Sequence, residues 1–170
     1  MNKIRVLMVD DHRMFLQGMR ALIEMEPDIE VIGECTNGME AVETVLRLNP
    51  DVVLMDINMP GLNGVEATRQ ILERQPGAGI IILTMYREDG QVFYAIKSGA
   101  RGYILKDAET SEVVRAVRAV ARGESMIDPV LATRVLTEFK RVWQQPNQNP
   151  RDGLTFDEKV KQDQVFCRRR

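Results

Sequence analysis

Five short apolar segments alternate with longer amphipathic ones along the first 125 residues of the chain. The short segments are rich in Val, Ile and Leu, and they read IRVLMV, EVIGEC, DVVLM, GIIILT and RGYIL. Most of their positions are apolar, which is typical of parallel strands covered on both faces. The pattern therefore predicts a five-stranded parallel sheet.

The longer segments carry apolar residues at helical spacing. The spacing i, i+4, i+7, i+8 is occupied by Phe15, Met19, Leu22 and Ile23, and again by Val113, Val117, Val120 and Ala121. Such stripes are typical of helices that face a core. Alternating strands and helices predict a doubly wound α/β domain with the flavodoxin-like strand order 2-1-3-4-5.

The pattern changes after Gly123. The stretch DPVLATRVLTEFKRVW predicts a separate helix, with Asp128 as its N-cap and Pro129 at its first position. QQPNQNP cannot continue that helix, and the remainder is too short and polar to fold alone. We therefore predict a domain over residues 1–125, a linker helix over 126–145 and a C-terminal segment over 146–170.

Composition limits the class of protein. Of the 170 residues 44% are hydrophobic, yet no apolar run approaches the roughly 20 residues that cross a bilayer. The start, MNKIRVLMVDD, reaches acidic residues too early for a signal peptide. Cys35 and Cys167 lie too far apart for metal-ligand spacing. We expect a cytoplasmic protein that does not contact a membrane.

Charge is distributed unevenly along the chain. Residues 1–128 hold 14 basic and 20 acidic residues, whereas residues 129–170 hold 9 basic and 5 acidic ones. An acidic body with a basic tail is compatible with a nucleic-acid contact, and equally with a solvated helix that ends in a charged stretch. Charge alone does not separate these two interpretations.

Acidic residues stand at the ends of two predicted strands. Asp10 and Asp11 follow the first strand, and Asp56 follows the third. In the order 2-1-3-4-5 these strands are neighbours, and ligands of such sheets bind outside the carboxyl ends of the strands. Three carboxylates in one pocket repel each other. Mg²⁺ takes oxygen ligands and is typically held by one or two carboxylates plus a phosphate, so the sequence predicts a Mg²⁺ site that receives a phosphoryl group.

Two further polar residues end strands at the same edge. Thr84 closes GIIILT and offers a hydroxyl, and Lys106 follows RGYIL and offers a compact positive charge. A carboxylate nucleophile, a metal, a hydroxyl and a lysine are the parts of a phosphoryl-transfer site. Each residue alone is compatible with a cap or a solvated group, so the prediction rests on the set and its order.

The motifs MVDDH, LMDINMPGLNG, LTMYRE and GARGYILKDA resemble the receiver domain of response regulators in two-component signalling, over about residues 1–125. LTMY, GARGYILKD and SMIDPVLATRVL resemble the NarL/FixJ subfamily in particular. In that subfamily a linker helix joins the receiver to a LuxR-type helix-turn-helix. The resemblance implies a protein that regulates transcription, forms a homodimer on phosphorylation, and catalyses only its own phosphorylation and dephosphorylation.

The resemblance also implies a role for each site residue. Asp56 accepts the phosphoryl group from a histidine kinase, and Lys106 binds one of its oxygens. Thr84 hydrogen-bonds another oxygen, while Tyr103 turns inward as Thr84 is recruited. The Mg²⁺ ligands are the carboxylates of Asp11 and Asp56 and the backbone carbonyl of Asn58, with Asp10 acting through a metal-bound water.

One part of the chain departs from the NarL/FixJ pattern, and other classes of protein are compatible with parts of it. GLTFDE begins like the expected DNA-binding domain, but no recognition helix follows before Arg170, so DNA binding is expected only if a complete helix-turn-helix exists beyond this chain. A receiver-only signalling protein is one alternative. A Mg²⁺-dependent phosphohydrolase needs Asp-x-Asp where this chain has Asp10-Asp11-His12, and a flavodoxin-type carrier needs a phosphate-binding loop there. His12 is expected to begin a helix rather than to bind metal.

Overall fold

A computed structural model of the protein describes residues 2–85 and 89–144, with the side chains of residues 89 and 90 excepted. The chain divides into two compact units, Met1–Glu138 and Phe139–Arg170, and the division falls within the last helix. The elements in chain order are β1 Ile4–Val9, α1 Arg13–Ile23, β2 Ile29–Cys35, α2 Gly38–Leu48, β3 Val52–Asp56, α3 Gly64–Arg74, β4 Gly79–Thr84, α4 Asp89–Lys97, β5 Gly102–Leu105, α5 Thr110–Ala121, β6 Met126–Ile127 and α6 Pro129–Gln144.

The sheet confirms the predicted strand order and adds one strand to it. Its order is β2-β1-β3-β4-β5-β6, and all neighbouring strands are parallel. The sixth strand has two residues, and it is held by Met126 N donating to Arg101 O at 2.8 Å and Asp128 N donating to Tyr103 O at 3.0 Å. The prediction of five strands missed it because two residues carry no periodic pattern.

The sheet is covered on both faces, as its apolar strands predict. Alternate residues of β1 show the arrangement, since Leu7 and Val9 join one core cluster whereas Val6 and Met8 join the other. The first cluster is completed by residues of α2, α3, α4 and α6, and the second by residues of α1 and α5. Strands buried on both faces explain the nearly continuous apolar runs.

The predicted helical stripes hold better for α5 than for α1. In α5 Val113, Val117 and Val120 are buried, although Ala121 at the end is exposed. In α1 the buried residues are Leu16 and Ile23, seven residues apart, whereas Leu22 is 45% exposed. Ile23 faces the sheet, and Leu22, about 100° away around the helix axis, lies on the solvent side of the stripe.

Helix ends follow the local sequence. Asn37 and Asn63 cap α2 and α3 by accepting the backbone N–H of the third helical residue, at 2.9 Å in each case. Asn49 ends α2 in the left-handed region at φ 47°, which Asn tolerates better than most residues, and Pro50 cannot continue the helix. The prediction for α6 is confirmed, because Asp128 Oδ1 accepts from Val130 N at 2.8 Å and Pro129 begins the helix.

The loop between β3 and α3 is fixed by a close backbone approach. Gly64 N donates to Ile57 O at 2.8 Å, and a Cβ at Gly64 would lie 1.9 Å from the carbonyl oxygen of Asp56. Only glycine fits at that distance. The start of α3 therefore presses directly against the residue that ends β3, which sets the conformation of this loop.

Among the described residues, no helix is long and apolar enough to span a membrane. The C-terminal segment predicted over residues 146–170, including GLTFDE, lies outside the described residues. The predicted limit at residue 125 between the first domain and the linker helix stays a prediction.

Candidate functional site

The three predicted carboxylates converge at the carboxyl ends of β1 and β3. These strands are adjacent in the sheet, with Val9 opposite Met55, so Asp10 and Asp56 extend from neighbouring positions. One potential ligand atom from each of Asp10, Asp11, His12 and Asp56 lies within 4.8 Å of the others. The strand order that the sequence predicts is what brings these residues together.

Lys106 reaches this group from the end of β5. Its Nζ lies 2.5 Å from Asp10 Oδ2 and 3.2 Å from Asp56 Oδ1, and its side chain is 5% exposed. Since β4 separates β5 from β3, only a long side chain can span the distance. Lysine provides a positive charge on a four-carbon stem with three donors, which suits a site where an anionic group arrives.

Burial makes Asp56 an unusual carboxylate. Desolvation raises its pKa above the ordinary value of 3.8, and the charges of Asp10 and Asp11 raise it further, while Lys106 opposes them. The direction is upward because one ammonium does not compensate burial beside two other acids. Negative charge at this edge of the sheet is therefore held at a free-energy cost.

The surroundings of Asp11 test whether these residues suit a metal ion. Its Oδ1 is buried and accepts no hydrogen bond, and the nearest ring nitrogen, His12 Nδ1, lies 3.0 Å away but outside hydrogen-bond geometry. A buried carboxylate oxygen without a donor is costly. Oxygen donors from two or three carboxylates are what a divalent cation such as Mg²⁺ binds, so the residues present fit such an ion.

His12 and Phe15 are neighbours of the site that the sequence prediction did not place there. His12 is the N-cap residue of α1, and its Nδ1 also lies 3.1 Å from Asp10 Oδ1. The apolar spacing places Phe15 in the core stripe, yet the Nζ of Lys106 lies 4.5 Å from its ring centroid. The available signal was position, since α1 begins two residues after Asp11 and its first turn must border the pocket.

Thr84 and Tyr103 lie on the strands that flank the pocket. Thr84 is 2% exposed, and its carbonyl accepts from Lys106 N at 2.8 Å. Tyr103 is also buried and points inward, with its hydroxyl donating to Ala95 O of α4 at 2.5 Å. Burial raises the pKa of the Tyr103 phenol, so the hydroxyl stays a donor. Asn58 lies exposed, two residues after Asp56.

The family of the chain follows from comparison with known proteins. The model of the response regulator receiver domain matches residues 6–118, about two thirds of the chain, and these residues include Asp10, Asp11, Asp56 and Lys106. The chain belongs to the response-regulator receiver family. It is a two-component response regulator whose relatives are regulators of the NarL/LuxR type, which confirms the resemblance seen in its motifs.

Curated relatives of this response regulator are transcriptional regulatory proteins. The chain is 41% identical to LiaR of Bacillus subtilis over 152 residues, which are 89% of this chain and 71% of LiaR. It is 40% identical to DegU of Brevibacillus brevis over 83% of this chain and 60% of DegU. The chain thus spans about 60% to 70% of the length of these relatives.

Solved structures support the same fold. A LuxR-family two-component response regulator from Aurantimonas sp. SI85-9A1 has a TM-score of 0.77 and 34% identity to this protein, covering 82% of this chain and 99% of that one. The receiver-type sheet of this response regulator is therefore shared with a solved member of the family.

Proposed function

We propose that this response regulator accepts a phosphoryl group on Asp56 from a histidine kinase, in a Mg²⁺-dependent reaction, and switches conformation as a result. The observation that carries the proposal is the arrangement around Asp56, whose buried carboxylate lies 3.2 Å from Lys106 Nζ. Beside it, Asp11 presents a buried oxygen without a hydrogen-bond donor. A nucleophile, a fixed positive charge and free oxygen ligands are the parts of a phosphoryl-transfer site.

The reaction is a transfer between two nucleophiles. An Asp56 carboxylate oxygen attacks the phosphorus of a phosphohistidine, an O–P bond forms, the N–P bond breaks, and the imidazole leaves with the bonding electron pair. Lys106 contacts Asp56 Oδ1 and thereby holds the attacking carboxylate in the pocket.

The proposed ligand set for Mg²⁺ is Asp11, Asp56 and the backbone carbonyl of Asn58, with Asp10 binding through water. An ion held by these residues would neutralise charge on the transferring phosphoryl oxygens. Lys106 provides a second positive charge for those oxygens and holds Asp10 in place through its contact with Oδ2.

The proposed switch is a population shift driven by the new charge. An aspartyl phosphate adds negative charge and acceptor oxygens that Lys106 and the Thr84 hydroxyl can satisfy, so it favours the arrangement in which both approach it. Tyr103 belongs to the same proposal because its hydroxyl ties α4 to β5.

Membership of the family extends the proposal to the output of the protein and to its location in the cell. We propose that phosphorylation promotes homodimerisation, that the protein regulates transcription from the cytoplasm, and that it catalyses no reaction beyond its own phosphorylation and dephosphorylation. Relatives that match this chain over their receiver regions are named transcriptional regulatory proteins. Contact with DNA is included only for a chain in which a complete helix-turn-helix follows α6.

Intact-protein mass spectrometry after incubation with acetyl phosphate tests the proposal. We expect a single phosphoryl adduct that requires Mg²⁺ and is absent from the Asp56→Asn variant. The matched control is Asp51→Asn, an exposed acid immediately before the same strand, which should be phosphorylated like the native protein. An adduct that persists in Asp56→Asn, or no adduct on the native protein with either acetyl phosphate or a histidine kinase, would overturn the proposal.

A further inference from the structure

The ammonium group of Lys106 is enclosed by three partners, and one of them is aromatic. Two are the carboxylates of Asp10 and Asp56, at 2.5 Å and 3.2 Å. The third is the ring of Phe15, whose centroid lies 4.5 Å from Nζ. That distance is within the range in which a cation is attracted to the face of an aromatic ring, and the attraction is larger where water is excluded. The Lys106 side chain is only 5% exposed, so the contact is largely shielded from water.

Phe15 is well supported for such a contact. It stands in the first turn of α1, four residues after Asp11, so the backbone that places the acids also places the ring. Its half-buried side chain packs against the core cluster between the sheet and the helices α1 and α5, where Met19 lies one turn further along. The ring therefore has a fixed position, whereas Lys106 has a flexible stem with many rotamers.

We propose that Phe15 is a positioning residue for the phosphoryl-transfer site, and that it holds the Lys106 ammonium through a cation–π contact. This inference rests on the proposed function of Asp56. The ring attracts the ammonium without accepting any of its conventional hydrogen bonds, so all three N–H donors stay available for carboxylate or phosphoryl oxygens. A polar partner at the same place would compete for a donor that the phosphoryl group needs.

The contact also explains how Lys106 changes partners without leaving the pocket. Before transfer the ammonium bridges Asp10 and Asp56; afterwards it must contact a phosphoryl oxygen on Asp56. Attraction to a ring face varies little with small lateral displacements, unlike a hydrogen bond. Phe15 thus keeps the ammonium at the pocket in both states, whereas an aliphatic side chain of similar size would only fill space.

A series of fluorinated phenylalanines at position 15 separates these two roles. Replacing Phe15 by 4-fluoro-, 3,5-difluoro- and 3,4,5-trifluorophenylalanine withdraws electron density from the ring face with little change in size. We expect the rate of phosphorylation by acetyl phosphate at saturating Mg²⁺ to fall stepwise along the series, and Phe15→Leu to be about two- to thirtyfold slower than the native protein. Equal rates across the fluorinated series would show that Phe15 only packs, and would overturn the inference.

The chain offers a matched control for this series. Phe93 in α4 lies under Lys97, with 4.7 Å between Nζ and the ring centroid, so it forms a cation–π pair of the same kind away from the carboxylates. Introducing the same fluorinated residues at Phe93 should leave the phosphorylation rate within twofold of native. A decline as steep as that at Phe15 would mean that the effect is not specific to Lys106.

Magnetic resonance supplies a readout that does not depend on phosphoryl transfer. Protons above an aromatic ring face are shifted upfield, so the ε-methylene protons of Lys106 should be shifted upfield in the native protein and return towards ordinary values in Phe15→Leu. An upfield shift in a protein that takes no phosphoryl group would refute the proposed function and keep the contact. Normal phosphorylation without the shift, or with the shift unchanged in Phe15→Leu, would refute the inference alone.

Discussion

Charged side chains differ in burial and pairing between the carboxyl ends of the strands (the carboxyl edge of the sheet) and their amino ends (the amino edge). At the carboxyl edge, Asp10 and Asp56 share the buried ammonium of Lys106 with Asp11 close by, and burial raises the pKa of Asp56. At the amino edge, charged groups are partly exposed and paired. There Arg118 of α5 binds Asp28 through two nitrogens at 2.7 and 2.8 Å and Glu26 at 2.6 Å, and the hydrogen bond from Arg118 lowers the pKa of Asp28.

The difference shows that the amino edge stabilises the fold, whereas the carboxyl edge is held in place by the rest of the molecule. Paired, solvated charges at the amino edge contribute modestly and are screened by salt. The carboxyl edge buries excess negative charge and leaves Asp11 Oδ1 without a donor, which opposes folding until a cation is bound. The proposed phosphoryl-transfer site thus lies where the burial of charge opposes folding, as is common for sites that must bind charged groups.

The largest expected effect comes from the backbone contact that supports the carboxyl edge. Gly64→Ala places a Cβ against the Asp56 carbonyl oxygen, which is 1.9 Å away for ideal geometry, and both partners are backbone atoms of packed elements. We expect a loss of about 2–4 kcal/mol in the free energy of unfolding, measured by urea denaturation.

The control for this change is another glycine of the same protein. At Gly18 in α1 an added Cβ meets no atom within 4 Å, so Gly18→Ala should be neutral or stabilising by up to about 1 kcal/mol. If Gly64→Ala were as stable as Gly18→Ala, the close approach would not constrain the loop, and the support of the carboxyl edge would have to lie elsewhere.

Asp56→Asn is expected to stabilise the protein moderately when divalent cations are absent. The folded state raises the pKa of Asp56 above 3.8, so the native carboxyl stabilises the fold only while protonated and loses this contribution as pH rises through the folded-state pKa. In EDTA at pH 7 the amide variant should unfold at a higher temperature than the native protein.

The pH dependence of this difference identifies its cause. The advantage of Asp56→Asn should shrink as the pH is lowered from neutral towards 3.8, because the native carboxyl then becomes neutral as well. Thermal unfolding over a pH series measures it, and saturating Mg²⁺ should reverse it by stabilising the native protein more. Lower stability of the variant at neutral pH in EDTA would mean that Lys106 outweighs burial and the neighbouring acids.

The smallest effect is expected at the amino edge. Arg118→Gln removes the contacts to Glu26 and Asp28, and we expect a decrease of only a few degrees in the Tm, which diminishes in high salt. Because the pKa of Asp28 is lowered in the fold, its contribution is present above 3.8 and is lost as pH falls through the folded-state value. The native and variant proteins should therefore converge in acid. A salt-independent loss as large as that of Gly64→Ala would contradict the contrast between the edges.

The sequence predicted the features that depend on residues close together in the chain. Asp10, Asp56 and Lys106 each directly follow or end an apolar run, and the strand order then brings them to one edge. Properties set by contacts across the fold were not accessible in this way. The burial of Leu16 in place of Leu22 depends on how α1 is rotated against the sheet, β6 depends on the edge that β5 offers, and the position of the Phe15 ring depends on where Lys106 ends.

The hydrogen bonds of residue 103 have a mechanical consequence. The hydroxyl of Tyr103 donates a hydrogen bond to the carbonyl of Ala95 in α4, and the carbonyl of Tyr103 accepts one from the backbone N–H of Asp128. The side chain of Asp128 in turn caps α6. Tyr103 thus links α4 and α6, two helices whose nearest ends, Lys97 and Pro129, are 32 positions apart in sequence and separated by β5, α5 and β6. A displacement of the main chain at Tyr103 cannot leave Asp128 in place without breaking that hydrogen bond, so the start of α6 moves with β5.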